Sequence, residues 1–207
     1  MTAPGELADE FGQVDIYLFD QLLRERIRSG MRVLDAGCGH GRNVVYLLRH
    51  GFDVSAVDRS AQAVDRTAAL AARLAPRLPA SQFRTEPIES LSYPDASFDL
   101  VICSAVLHFA EDAEHFEAMV DELWRVLAPG GLLFARLASS IGIETRVVSL
   151  GDGRYHLPDG SDRYLVDEEQ LVALTDRLGG TLVDPIKTTN VQGQRCMTTW
   201  VVQKPTA

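Results

Sequence analysis

Val33-Leu34-Asp35-Ala36-Gly37-Cys38-Gly39-His40-Gly41-Arg42-Asn43 is the stretch whose reading decides the fold. It reads as a short apolar strand that ends in a carboxylate, turns through three alternating glycines and enters a helix. A strand, a glycine-rich turn and a helix open a nucleotide-binding α/β unit, because bare backbone lets a ligand lie against main-chain N–H groups. A dinucleotide fingerprint requires G-x-G-x-x-G, and Arg42 stands where the third glycine would fall. The pattern is Asp-x-Gly-x-Gly-x-Gly instead. A carboxylate two residues before the first glycine repels a pyrophosphate and suits a ligand carrying an ammonium. That favours an amino-acid-bearing nucleoside over a dinucleotide.

The 207 residues are enough for one domain with a substantial core and few for two. No apolar run approaches the ~20 residues that span a bilayer. The opening Met1–Glu10 stretch lacks the basic start and apolar core of a signal peptide, so a cytoplasmic location is the expectation. A formal net charge of −9, without clustered Lys and Arg, argues against general nucleic-acid binding. Cys38, Cys103 and Cys196 are isolated, so neither a disulfide framework nor a metal site is expected.

Along the chain, residues 1–12 read as a mobile leader. Val14 to Ile27 carries an apolar helical stripe, with Asp15, Tyr17 and Asp20 beside it, and residues 1–30 form an N-terminal cap. Strand one is Arg32 to Ala36, followed by a helix from about Gly41 to His50. Strand two runs from Phe52 to Val57 and ends at Asp58, about 20 residues beyond the glycine turn, where this fold hydrogen-bonds a ribose. Ser60 caps an alanine-rich helix, Ala61 to Ala75. A third strand, Ser81 to Thr85, leads to Glu86-Pro87-Ile88. Leu100 to Cys103 is apolar throughout, as in a strand buried on both faces of a parallel sheet. Phe116, Met119, Val120, Leu123, Trp124 and Leu127 form the core face of a helix, and Ala128–Gly131 is a turn into strand five, Leu132 to Leu137. Residues 138–166 are irregular and read as a lid insertion. Asp167 caps one more helix, and Thr181 to Val191 with Cys196 to Val202 make a terminal hairpin.

The stretch Val33 to Asn43 resembles the first motif of class I S-adenosylmethionine-dependent methyltransferases. The similarity runs from about Met31 to Leu137, with Leu127-Ala128-Pro129-Gly130-Gly131 among its later segments, and more weakly to the C-terminus. It implies one domain over residues 1–207 with a three-layer, Rossmann-like α/β fold. The implied sheet is seven-stranded and mostly parallel, with an antiparallel C-terminal strand. It implies S-adenosylmethionine as cofactor and S-adenosylhomocysteine as product. Asp35 would then face the methionine amino group, and the backbone of Gly37 and Gly39 would line the carboxypropyl chain. Asn43 joins these contacts, Asp58 holds the ribose and Arg59 lies along the adenine. Glu86, Pro87 and Ile88 would meet the adenine amino edge. The interval from Glu86 to Leu91 is one residue longer than the family's, so Glu89 stands as the alternative. Ser104 and Leu107 would border the methionine end.

Methyl transfer from a sulfonium is an in-line displacement in which alignment alone can supply on the order of 7–11 kcal/mol. A base is needed only where the acceptor must lose a proton. His108, following strand four, is the candidate acid/base. Tyr17 is the second catalytic candidate, and Arg136, Arg154, His156 and Arg163 are candidates for shaping an acceptor site. No Asn/Asp-Pro-Pro-Tyr-like segment and no Pro-Cys nucleophile follow strand four, which argues against methylation of glutamine, adenine or cytosine C5. Gly41-Arg42-Asn43 and Gly51-Phe52-Asp53-Val54 also resemble small methyltransferases grouped with tellurite-resistance enzymes, which hints at a soft, thiol-like or chalcogen acceptor. The expected partner is a small-molecule acceptor, with no nucleic acid and no membrane. Two alternatives stay open: a non-catalytic S-adenosylmethionine binder and a nicotinamide-dependent oxidoreductase.

Overall fold

β1 (Arg32–Ala36) sits mid-sheet because both of its faces are apolar: Val33, Leu34 and Ala36 are fully buried. The computed structural model describes residues 6–206. The N-terminal helices are α1 (Glu6–Phe11) and α2 (Ile16–Leu23). After β1 come α3 (Val45–Arg49), β2 (Asp53–Asp58), α4 (Ala61–Leu74), β3 (Phe83–Thr85) and β4 (Phe98–Ser104). The second half holds α5 (Ala113–Val126), β5 (Leu127–Ser139), β6 (Val148–Gly151), β7 (Arg154–His156) and β8 (Asp162–Tyr164). It closes with α6 (Glu168–Arg177), β9 (Thr181–Leu182), β10 (Lys187–Val191) and β11 (Arg195–Gln203).

The main sheet runs β10-β11-β5-β4-β1-β2-β3, the seven expected strands, and β9 pairs with β11 as an eighth. β3, β2, β1, β4 and β5 are parallel, and β11 is antiparallel to β5 with Trp200 opposite Ala135. Alternation along each strand divides the core between two faces. Leu34, Val101, Cys103 and Leu133 pack towards Phe116 and Leu123 of α5 and Leu171 of α6. Val33, Val54, Ile102 and Phe134 pack towards Leu18 of α2, Leu47 of α3 and Ala71 of α4. The result is the expected three layers. The fully buried Trp200 donates its Nε1–H to Thr175 Oγ1 at 2.9 Å, so its one polar atom is satisfied.

Several local expectations are corrected. Residues 6–11 of the expected leader form a helix, with Phe11 stacked on Tyr46; residues 1–5 lie outside the described residues. α2 stops at Leu23 rather than Ile27, since Glu25 adopts φ +56°. α3 starts at Val45, four residues late, because Gly41 sits at φ +72° and closes a tight turn onto Cys38. β5 runs through Pro129-Gly130-Gly131 as a bulge, its register slipping between Phe98 and Leu100 of β4.

The largest correction concerns residues 138–166, which are not irregular. β6, β7 and β8 form an antiparallel meander with its own small core around Leu157 and Leu165. Its base is closed: the Ser140 N–H donates to the Val166 carbonyl at 2.9 Å. The expected strand Thr181–Val191 divides into β9 and β10 on either side of Asp184-Pro185. Among the described residues no helix is long and apolar enough to cross a membrane, and no cluster of His, Cys, Asp and Glu is placed to hold a metal ion.

Candidate functional site

Sheet order reverses between β1 and β4, and the crevice outside the carboxyl ends of such strands is where open α/β folds bind ligands. A cavity of about 510 Å³ opens there. Gly37, Cys38 and Gly39 line it after β1, Asp58 and Arg59 after β2, Pro87 to Glu89 after β3, and Ser104 to Val106 after β4. Of the residues singled out in the sequence, Gly37, Gly39, Asn43, Asp58, Arg59, Pro87, Ile88 and Ser104 reach this wall.

Two glycines divide the work of the turn. A Cβ on Gly37 would come within 2.4 Å of Val106 Cγ2, so this glycine lets the loop close onto β4's extension. A Cβ on Gly39 would meet nothing within 4 Å, which leaves bare backbone on the cavity wall. Asp58 holds the loop from the far side, accepting the Gly39 N–H at 3.0 Å and the Ser60 N–H at 2.9 Å.

Asp35 lies under the turn, 1% exposed, and its Oδ2 has no hydrogen-bond partner. Burial lifts its carboxyl to about 7, with Asp58 adding to the lift and the Arg42 guanidinium opposing it. An orphaned buried carboxylate beneath a bare glycine backbone fits a ligand that brings an ammonium. The Cys38 thiol, buried and close to Asp35, is pushed up to about 12 and is inert.

Glu86, Leu107 and Asp35 do not line the cavity. Glu86 turns away to accept the Ser92 N–H at 3.0 Å and also the Ser92 hydroxyl. Glu89 takes the wall position instead, its Oε2 3.4 Å from Nε2 of His115. Leu107 is fully buried in the core. Gln13, Arg42, His115 and Met119 also line the cavity without having been assigned to it. Met119 serves core and cavity together, a double role invisible in a helical stripe, and a loop residue such as Gln13 carries no sequence signal.

Asp15, 3% exposed, ties residues of the two cavities to α2. It caps α2 through the Tyr17 N–H, and its own N–H donates to Asn43 Oδ1 at 3.1 Å. Its Oδ2 accepts from Arg136 Nη1 at 2.8 Å and from Ser104 Oγ at 3.4 Å. Tyr17 is carried elsewhere: its hydroxyl pairs with Thr189 Oγ1 at 2.9 Å, on β10.

A second cavity, about 290 Å³, shares the lining residue Ala105 with the first. Ala105 adopts φ +66°, a strained conformation for a residue with a side chain. The second cavity is lined by His108, Arg136, Asp159, Arg163 and Arg195 over a floor of Leu157 and Met197. His108 thus lies in the second cavity and not on the wall that Gly37 and Gly39 form. Its Nδ1 accepts the Ala138 N–H at 3.2 Å. Burial, together with Arg163 and Arg195, lowers its pKa to about 4, so near neutrality it is uncharged with its proton on Nε2. Of the other candidates, Arg154 lies on β7 outside both cavities, and His156 pairs with Asp162 at 2.7 Å on the meander's surface.

Residues 34–135 match the family model described as "Methyltransferase domain". The phthiotriol/phenolphthiotriol dimycocerosates methyltransferase of Mycobacterium leprae is 31% identical over 143 residues, covering 68% of this chain and 50% of that protein. The tRNA 5-carboxymethoxyuridine methyltransferase of Escherichia coli is 30% identical over 144 residues, covering 69% and 52%. In shape, an S-adenosylmethionine-dependent methyltransferase from Methanosarcina mazei superposes with a TM-score of 0.72 at 22% identity, over 90% of this chain and 98% of that one.

The chain carries the methyltransferase domain over residues 34–135, in the fold shared with S-adenosylmethionine-dependent methyltransferases.

It spans about half the length of the curated relatives it matches. The cofactor of this methyltransferase family is S-adenosylmethionine, and its fit here rests on the orphaned Asp35 carboxylate and the bare wall at Gly39.

Proposed function

We propose that this methyltransferase binds S-adenosylmethionine in the larger cavity and transfers its methyl group to a small molecule held in the smaller one. The observation that carries the reading is that both cavities are lined by Ala105, just beyond the carboxyl end of β4. Bound there, the cofactor supplies a methyl carbon on a neutral-leaving sulfonium, so displacement needs alignment above all. Asp35 supplies negative charge for the ammonium from beneath the turn, Gly37 and Gly39 lend bare backbone surface, and Asp58, which also holds the Gly39 and Ser60 N–H groups, takes the ribose hydroxyls. Glu89 and Ile88 stand at the adenine edge, with Arg59 along its face. Ser104, fixed between Arg42 Nη2 at 3.1 Å and Asp15, closes the methionine end.

His108 cannot serve as a base in this tautomer, because its free face is an N–H. It serves as a hydrogen-bond donor to the acceptor, which suits a nucleophile that needs no deprotonation by the protein. Tyr17 supports Arg136, whose guanidinium carbon lies 5.5 Å from the ring centre. The acceptor space, about 290 Å³, suits a compact molecule rather than a polynucleotide, even though one relative is named for a tRNA.

Mass-spectrometric detection of S-adenosylhomocysteine and methylated product, across thiols, phenols, amines and carboxylic acids, tests the reading. Cofactor consumption coupled to one acceptor class is expected. Saturating cofactor binding with no methylated product in any class would favour the non-catalytic binder. Thermal stabilisation by NAD and not by S-adenosylhomocysteine would end the reading altogether.

A further inference from the structure

We propose that the second cavity takes its acceptor by an anionic oxygen group, a carboxylate or a phosphate, gripped by the guanidiniums of Arg163 and Arg195 and the Nε2–H of His108. This rests on the methyl-transfer reading above and adds to it the class of substrate.

The chain as a whole carries a net charge of −9, yet this cavity gathers cations. Arg136, Arg163 and Arg195 line it against one carboxylate, Asp159. Arg136 is already matched by Asp15 at 2.8 Å. Asp159 is engaged as well, accepting the Ser161 N–H at 3.0 Å and its hydroxyl at 2.6 Å, with Arg195 Nη1 at a loose 3.9 Å. Among the described residues Arg163 makes no ion pair. Its Nη1 donates to its neighbour's carbonyl, Asp162 O, at 2.6 Å, and its guanidinium carbon lies 4.9 Å from the Phe109 ring centre. A guanidinium held over an aromatic face and an apolar floor is oriented but not neutralised.

His108 adds direction. With Nδ1 committed to Ala138, the ring adds a donor to the cavity that Arg163 and Arg195 line, where Asp159, already bonded to Ser161, is the one carboxylate. Guanidinium pairs suit carboxylate and phosphate oxygens, and a low-dielectric floor strengthens that grip. The bound anion is a handle and not the nucleophile, since oxygens shared among guanidiniums are poor electron-pair donors. The atom that receives the methyl group lies on the Ala105 side of the acceptor. Its lone pair forms the new bond to carbon while the carbon–sulfur pair stays on sulfur, and any proton it carried passes to solvent.

The test uses the full chain saturated with S-adenosylhomocysteine, with inorganic phosphate, benzoate and the neutral benzamide as probes, read by thermal shift and titration calorimetry. Saturable binding of benzoate or phosphate, with benzamide at least about tenfold weaker, is expected. Arg163→Gln and Arg195→Gln should each weaken the anion by about tenfold or more while the S-adenosylhomocysteine shift persists. Benzoate alone assigns a carboxylic acid, and phosphate alone a phosphate ester. Equal binding of benzoate and benzamide, no saturable anion binding, or unchanged binding by both variants overturns the proposal. Absence of the S-adenosylhomocysteine shift in the parent protein strikes the methyltransferase reading instead, and the anion titration, repeated without it, still decides this one.

Discussion

The backbone N–H of Ala138 donates to Nδ1 of His108 at 3.2 Å, and an amide N–H can only donate. That one contact assigns the imidazole its tautomer and turns an expected base into a donor. The pKa of about 4 lies below the ordinary histidine value, so the native state resists protonation. The stabilising contribution is therefore present above pH 6.5 and lost as pH falls towards 4. Urea denaturation should show the parent losing roughly 3 kcal/mol relative to His108→Gln between pH 7 and pH 4. A pH-independent difference between the two would remove this account. Methyl transfer by His108→Gln should fall with little change in cofactor affinity.

Asp35 has the opposite sign. Its folded pKa, about 7, lies above the unfolded value, so its contribution is complete below about pH 4 and lost as pH rises through 7. Asp35→Asn is expected to stabilise the ligand-free protein by roughly 2–4 kcal/mol at pH 8 relative to its effect at pH 4. An ammonium-bearing ligand favours the ionised form, so S-adenosylhomocysteine should release close to one proton at pH 6 and little at pH 8.5. Calorimetry in buffers of different ionisation enthalpy measures this directly, and equal proton release at both values would exclude the pairing.

Asp58→Ala should weaken S-adenosylhomocysteine binding by about 1–3 kcal/mol, the scale of hydrogen bonds to a charged group. It also releases the Gly39 and Ser60 N–H groups. Titration calorimetry giving an unchanged affinity would take Asp58 out of the ribose role.

The two loop glycines should fail differently. Gly37→Ala meets Val106 at 2.4 Å, and overpacking of this kind costs about 1–3 kcal/mol, part of which Val106→Ala should restore. Gly39→Ala meets no neighbour, so its stability loss should stay near 1 kcal/mol while its methyl group obstructs the cavity. Thermal denaturation alongside binding separates stability from affinity in each variant.

The parallel strands were legible because Val33, Leu34, Val101 and Ile102 are apolar on both faces, a pattern few other environments require. Asp58 and the glycines were legible because their spacing is set by backbone geometry. The meander was missed although its turns carry a signal: Asp152-Gly153 and Asp159-Gly160 are hairpin dipeptides, and Asp152 and Gly153 both adopt positive φ. The exchange of Glu89 for Glu86 depended on one residue of loop length, which propensity does not read. The second cavity was legible only in part: His108, Arg136 and Arg163 were singled out, whereas Asp159 and Arg195, brought in by the meander and β11, carried no signal.

The closure of Ser140 against Val166 brings the two ends of the meander side by side, as the ends of a cassette are. A segment so anchored can vary between its two ends provided that Tyr164 keeps its place against Phe116 in the main core. The residues that face the nucleoside would then be inherited unchanged, while Arg163 and Asp159 travel with the exchanged piece. On the proposed reading, a change of acceptor then has a physical route that leaves the cofactor's berth untouched.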